Sequence, residues 1–263
     1  MDLLTGKKIL ICGKGGCGKS VFTSISAKIL NSKGYRVSLL DVDPSNADGL
    51  SRLCLGMKNG PRPLVDLVKS IGHYGDDGIP FGGKPGELDF KLSRIPARYY
   101  MRHENIVLFQ VGKVPFQHLS HGELAYIMKY FRLNDSIMLI DNESGIEYFD
   151  TVGEEIADIV LILVSPEYES IRLAERINKI CRERKVDNVW VILSNIRSEN
   201  VASELKDQLV RRDLPVIGVV YHDDEIRRAV MAGEMIPYCK AFNQVSKIIR
   251  ITGTRALTQV FST

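Results

Sequence analysis

No CxxC or CxC pair occurs among the five cysteines of this 263-residue chain, which stand scattered at Cys12, Cys17, Cys54, Cys181 and Cys239. Their spacing yields neither a disulfide framework nor a thiolate metal site, and it suits a reducing cytosol. No apolar run approaches the length needed to cross a bilayer. The opening Met1 to Lys8 leads directly into an apolar run without the hydrophobic core and small-residue cleavage site of a signal peptide, so a soluble, cytoplasmic protein is expected. An excess of either charge is missing too. Lys and Arg total 35 against 32 for Asp and Glu, a formal net charge of +3. A field that small implies neither a membrane nor a nucleic-acid partner.

What is present is ordinary for a globular protein: 44% hydrophobic and 25% charged residues. The length is enough to bury a core as one domain spanning 1–263. Continuous β-branched and apolar runs recur at Lys8–Cys12, Val37–Asp41, Ile106–Val111, Ile137–Asp141, Ile159–Val164, Val189–Ser194 and Val216–Val220. Because they do not alternate polar with apolar, they read as strands buried on both faces. Helical patterns at Ser20–Ser32, Glu169–Arg184 and Ala202–Arg212 lie between some of them. This alternation predicts an α/β fold, doubly wound, with a mostly parallel sheet of about seven or eight strands and ligands at the strands' carboxyl ends. Residues 72–104, rich in Gly and Pro and without periodicity, break the pattern. They are expected to form an insertion on the ligand side, either a partner-binding surface or a plain loop.

Gly13-Lys14-Gly15-Gly16-Cys17-Gly18-Lys19-Ser20 fits the phosphate-loop pattern GxxxxGK[ST], between a strand and a helix that continues at Val21. The glycines let backbone amides turn inward around phosphates, and the helix start adds its positive dipole end. Lys19 is placed to reach the β- and γ-phosphates of ATP, and Ser20 to ligate Mg²⁺. Lys14, taken alone, reads equally as a surface charge near anionic phosphates.

Leu39-Leu40-Asp41-Val42-Asp43-Pro44 ends the second strand with two carboxylates, of which only one should face a nucleotide if strand geometry persists. The competing reading is an Asp-Pro turn. Ile137–Asp141 is an apolar strand ending in an acid, followed by Asn142-Glu143-Ser144-Gly145. Asp141 is placed to hold Mg²⁺, and the Gly145 amide to sense the γ-phosphate. Val191–Asn195 ends another strand with an amide able to accept from the adenine 6-amino group and donate to N7. Asn195 is therefore the candidate base reader, or a turn-favouring residue.

The loop Lys-Gly-Gly-x-Gly-Lys-Ser with its second lysine resembles the deviant Walker A signature of the MinD/ParA, nitrogenase iron protein and arsenical-pump ATPases. The resemblance implies that Lys14 crosses a homodimer interface to phosphates held by the partner, in the manner of a finger supplied in trans. It also makes Asp43 the residue that positions the attacking water and one of the Mg²⁺ residues acting through the nucleotide, with Asp41 supporting the Mg²⁺ or the loop network. Ile95–Tyr99, Gly112–Val114, Asp141–Tyr148 and segments within Gly218–Glu234 resemble the accessory ATPases that mature nickel carbon monoxide dehydrogenase. That likeness implies an ATP-dependent homodimer serving a metalloenzyme client. Those factors carry a Cys-x-Cys where this chain has Pro115–His121, with Gln117 and Leu119 in the approximate places of the sulfurs. His118 and His121 are the alternative metal candidates, although Ser120-His121-Gly122-Glu123 also reads as a capping box. Bridging cysteines for an iron–sulfur cluster are absent. Two other readings stay open: a partition or positioning ATPase, and a small-molecule synthetase or kinase of the same superfamily.

Overall fold

A computed structural model describes residues 4–43, 48–71, 92–112, 124, 127–128, 131–142, 149 and 157–260. Eight strands form one sheet: β1 Lys8–Gly13, β2 Val37–Asp41, β3 Met101–His103, β4 Ile106–Gln110, β5 Ile137–Asp141, β6 Ile159–Val164, β7 Val189–Ile196 and β8 Val216–Tyr221. Their order is β3-β4-β2-β5-β1-β6-β7-β8. Every neighbouring pair is parallel except β3 with β4. β1, β2, β4, β5 and β6 are buried at every position. Continuous apolar runs are what a sheet covered on both sides requires.

The helices follow from the same physics. They are α1 Lys19–Ser32, α2 Gly49–Leu55, α3 Leu64–Ile71, α4 Tyr168–Glu183, α5 Glu199–Val210, α6 Asp224–Ala232 and α7 Lys240–Val260. One core joins Leu40, Phe109 and Ile140 of the sheet to Leu64 of α3 and Ile177 of α4. The other joins Ile11, Leu39 and Leu161 to Ile25 of α1, Leu50 of α2 and Ile248 of α7. Among the described residues no helix is long and apolar enough to cross a membrane.

The chain leaves β1 toward β2 on one side and later leaves β6 toward β7 on the other. β1, flanked by β5 and β6, therefore sits where the winding reverses. Parallel sheets of this kind open a ligand crevice at that point, beyond the carboxyl ends of the strands.

Two sequence expectations need correction. The stretch 92–104 is not loop throughout: it carries two short 3-10 turns, Leu92–Arg94 and Ala97–Tyr99, then β3. Ile95 and Tyr99 are buried in the core. β3 pairs antiparallel with β4, Met101 with Leu108 and His103 with Ile106, so the turn at Glu104 lies at the amino end of β4, away from the crevice. A three-residue edge strand with an exposed Arg102 and His103 has no apolar run to announce it. Residues 72–91 lie outside the described residues.

Candidate nucleotide site

The loop between β1 and α1 is built by glycine. Gly13 has φ +141°, and a Cβ there would lie 2.4 Å from the Leu163 carbonyl oxygen of β6. Any side chain would push the loop off the sheet. Gly16 and Gly18 also take positive φ, 79° and 95°. Gly18 is the N-cap of α1 and provides no side-chain cap, and the helix's first turn carries no acidic residue. The N-cap side of α1 thus carries neither a capping side chain nor an acid, as an anion site at a helix start requires.

Lys19 is 9% exposed. Its ammonium donates to the carbonyl oxygens of Gly13 at 3.2 Å and Lys14 at 3.1 Å, which places it within the loop. Cys17 is buried, and burial pushes its thiol up to about 11. The Ser194 hydroxyl of β7 donates to the Cys17 carbonyl at 2.8 Å, tying the loop to a strand two places along the sheet from β1. Gly15, and Val21 in the first turn of α1, need no side-chain role here. Lys14 is exposed and pairs with Glu167, just before α4. This hydrogen bond is the main cause that raises the proton affinity of Lys14.

Asp41 and Asp141 are register partners at the carboxyl ends of adjacent β2 and β5. Both are buried, at 3% and 2% exposure. Burial, and next the charge of Asp141, raise Asp41 well above the usual carboxylate range. Burial raises Asp141 to about 6, opposed by a hydrogen bond from Ser20, by Lys19 and by a hydrogen bond from Thr23. The Thr23 bond is long, 3.5 Å. Asp43 is only partly buried, and its backbone N–H donates to Asp41 at 3.2 Å. The two strand-end carboxylates thus differ in burial: Asp41 is enclosed, whereas Asp43 keeps part of its surface open.

Two desolvated carboxylates side by side, with the Ser20 hydroxyl on one of them, suit a hard divalent cation. Ser20 and Asp141 have the oxygen donors Mg²⁺ prefers. Among the described residues no cluster of three His, Cys, Asp or Glu side chains could hold a metal ion by itself.

Asn195 lies at the end of β7, beside Ser194, exposed and with φ +60°. Gly145, His118 and His121 lie outside the described residues. Sequence reasoning missed several groups that the fold brings to this edge. Gln110 of β4 is in register with Asp41, and its side-chain amide is buried with no hydrogen-bond partner among the described residues. The side-chain amide of Asn142, just past Asp141, is likewise buried with no partner among the described residues. The signal available was a polar residue at the last position of an apolar run, level with the two aspartates. His222, just past β8, contacts both Asn195 and Asp224.

A family model described as the CobQ/CobB/MinD/ParA nucleotide binding domain matches residues 8–236. The chain belongs to that family. It is a P-loop ATPase, binding and hydrolysing ATP. Its relatives include an ATP-binding protein of Methanocaldococcus jannaschii, 32% identical over 247 residues, covering 86% of this chain and 92% of the relative. The carbon monoxide dehydrogenase accessory protein CooC of Rhodospirillum rubrum is 26% identical over 250 residues, covering 89% of this chain and 92% of that protein. Among solved structures, septum site-determining MinD of Pyrococcus horikoshii complexed with Mg-ADP superposes with a TM-score of 0.67 at 20% identity, covering 92% of this chain and 93% of that one. The likeness to CooC is one of several and does not single out that function.

Proposed function

We propose that this ATPase is a nucleotide-gated switch of the MinD/ParA kind, closing as a homodimer around ATP and opening after hydrolysis. The observation that carries the reading is the division of labour between two lysines of one loop. Lys19 fills the cradle of its own chain, whereas the Lys14 ammonium lies outside it on Glu167. A cation left over at the rim of a phosphate site is suited to a second chain's phosphates. In this reading Ser20 and Asp141 hold Mg²⁺, which neutralises phosphate charge when bound. Asp43 orients the attacking water, the Gly145 amide senses the γ-phosphate, and Asn195 reads the base. Light scattering with ATP and with ADP tests the proposal. The native chain should double in mass only with ATP, and Lys14→Ala should stay monomeric while still binding ADP. A Lys14 variant that dimerises and turns over normally would overturn the switch reading.

A second reading keeps the switch and gives it a metalloenzyme client, favoured by the likeness to CooC along most of the chain. Against it stands the missing Cys-x-Cys, replaced around Gln117 and Leu119. His118 and His121 are the remaining donors for a shared metal. Elemental analysis of untagged dimer separates the readings: one metal per dimer, lost in the double variant His118→Ala/His121→Ala, supports the client. A metal-free dimer that pellets with DNA or liposomes only in ATP supports partition or positioning.

A further inference from the structure

At the carboxyl ends of β7 and β8 three side chains form a relay. Asn195 Oδ1 lies 2.7 Å from His222 Nδ1, and His222 Nε2 lies 3.2 Å from Asp224 Oδ1. The backbone brings them together. A register irregularity between Ser194 and Ile196 coincides with the left-handed φ of Asn195, which leaves its side chain exposed. The His222 N–H then donates to the Ile196 carbonyl at 2.8 Å, continuing the ladder one step past β8. Asp223 caps α6 by accepting from the Glu225 and Ile226 amides, so Asp224 begins the helix beside the ring.

The hydrogen-bond inventory of these groups is restrictive. An ionised carboxylate only accepts, and a carboxamide oxygen only accepts. With acceptors facing both ring nitrogens, both must carry protons, which is the imidazolium. When His222 is neutral, Asp224 retains the Nε2–H and Nδ1 becomes a lone pair. The Asn195 carboxamide must then rotate to offer its NH₂ to the ring. That rotation exchanges what Asn195 presents on its outer edge: a donor when His222 is charged, an acceptor when it is neutral.

Asn195 adjoins Ser194, which holds the phosphate loop through Cys17. Its outer edge therefore borders the nucleotide crevice. A 6-amino purine offers a donor at that position of the ring and a 6-oxo purine an acceptor. We propose that His222 is a positioning residue that sets the orientation of the Asn195 carboxamide, so that the site favours a 6-amino purine when His222 is neutral and loses that preference when it is charged. The inference rests on the reading of Asn195 as base reader. Among the described groups, the carboxylate facing the ring is Asp224. Asp223 is engaged with the helix amides, and Glu199 of α5 bonds the Tyr221 hydroxyl rather than the ring.

Calorimetric titration with ADP and with IDP tests this, because the two share their phosphates and differ at the 6-position. Any pH effect on the phosphates or on Mg²⁺ cancels in the ratio of affinities. Measurements at about pH 6 and about pH 8 sample the general range in which imidazole side chains change charge. The native chain should prefer ADP at the higher pH, with the ratio falling about fivefold at the lower, one hydrogen bond's worth. His222→Gln, which keeps both donor and acceptor but cannot titrate, should show a ratio independent of pH. Asn195→Ala should bring the ratio near unity at both. A native ratio indifferent to pH, or a His222→Gln ratio that still falls, overturns the role of His222. An Asn195→Ala protein that keeps the native preference overturns Asn195 as base reader, and the inference with it.

Discussion

Lys14 of the phosphate loop is paired with Glu167, which lies just before α4, so the lysine that a partner's phosphates would recruit is held by its own chain. The side chains are 40% and 54% exposed. An exposed pair of this kind adds little to stability. Its effect is expected on assembly, because closure of the dimer must exchange Glu167 for phosphate. Glu167→Gln should leave the melting temperature unchanged and lower the ATP concentration for half-maximal dimerisation by about twofold to fivefold, the worth of a surface ion pair. An unchanged midpoint by light scattering would show that the pair does not restrain Lys14.

Lys19 has its ammonium on two carbonyl oxygens of the loop. Charge-assisted hydrogen bonds contribute about 1.5–3 kcal/mol each, so Lys19→Ala should weaken ADP and ATP binding on the order of 100-fold. Lys14→Ala should leave ADP binding within about twofold, since an exposed charge is screened. Calorimetry with ADP distinguishes the two lysines. Equal losses would mean both serve the same chain's nucleotide.

Asp141 makes ligand-free stability depend on pH in a direction opposite to an ordinary paired carboxylate. Its proton affinity is raised from 3.8 to about 6 on folding, mainly by burial. The protonated form is the favoured one, so its stabilisation is complete below about 3.8 and is lost as pH rises through about 6. Asp141→Asn should therefore be more stable than the native chain at neutral pH, by on the order of 3 kcal/mol, and the gap should close toward pH 4. Saturating Mg·ADP should narrow it from the other side, by stabilising the native chain. Urea melts across pH would check this, and a gap that widens in acid would reverse the assignment.

Gly218 of β8 lies so close to α7 that a Cβ would meet Ile248 Cγ1 at 2.3 Å and Cδ1 at 2.8 Å. Overpacking of this sort costs about 1–3 kcal/mol. Gly218→Ala should be destabilised by that amount, and Ile248→Ala by about 2–5 kcal/mol through the cavity it leaves. The double variant should cost clearly less than the sum, because the new methyl enters the space Ile248 vacates. Additive losses in denaturant titrations would mean that the helix shifts away instead.

The parallel core was legible in the sequence because strands buried on both faces leave continuous apolar runs, and all seven such runs became strands. β3 escaped because an edge strand of Met101, Arg102 and His103 has no buried alternation to mark it. The phosphate loop was readable in full, since its glycines answer a backbone demand that no other residue meets at Gly13. The aspartates were readable as strand ends, but not their register, which places Asp41 beside Asp141 through pairing of distant segments. His222 could not be read at all. Its partners Asn195 and Asp224 come together only when β7 and β8 align, and one of them lies 27 positions away in the chain.

The phosphate loop carries a thiol where an electrophile would do damage, yet Cys17 is turned inward and 1% exposed. Its proton is held up to about 11, so almost none of it is thiolate at neutral pH. Oxidation and alkylation both proceed through the thiolate. The other four cysteines are buried as well. Aerobic handling and brief exposure to iodoacetamide should therefore leave nucleotide binding intact, and a reagent that does inactivate the folded chain would be reporting the opening of the loop.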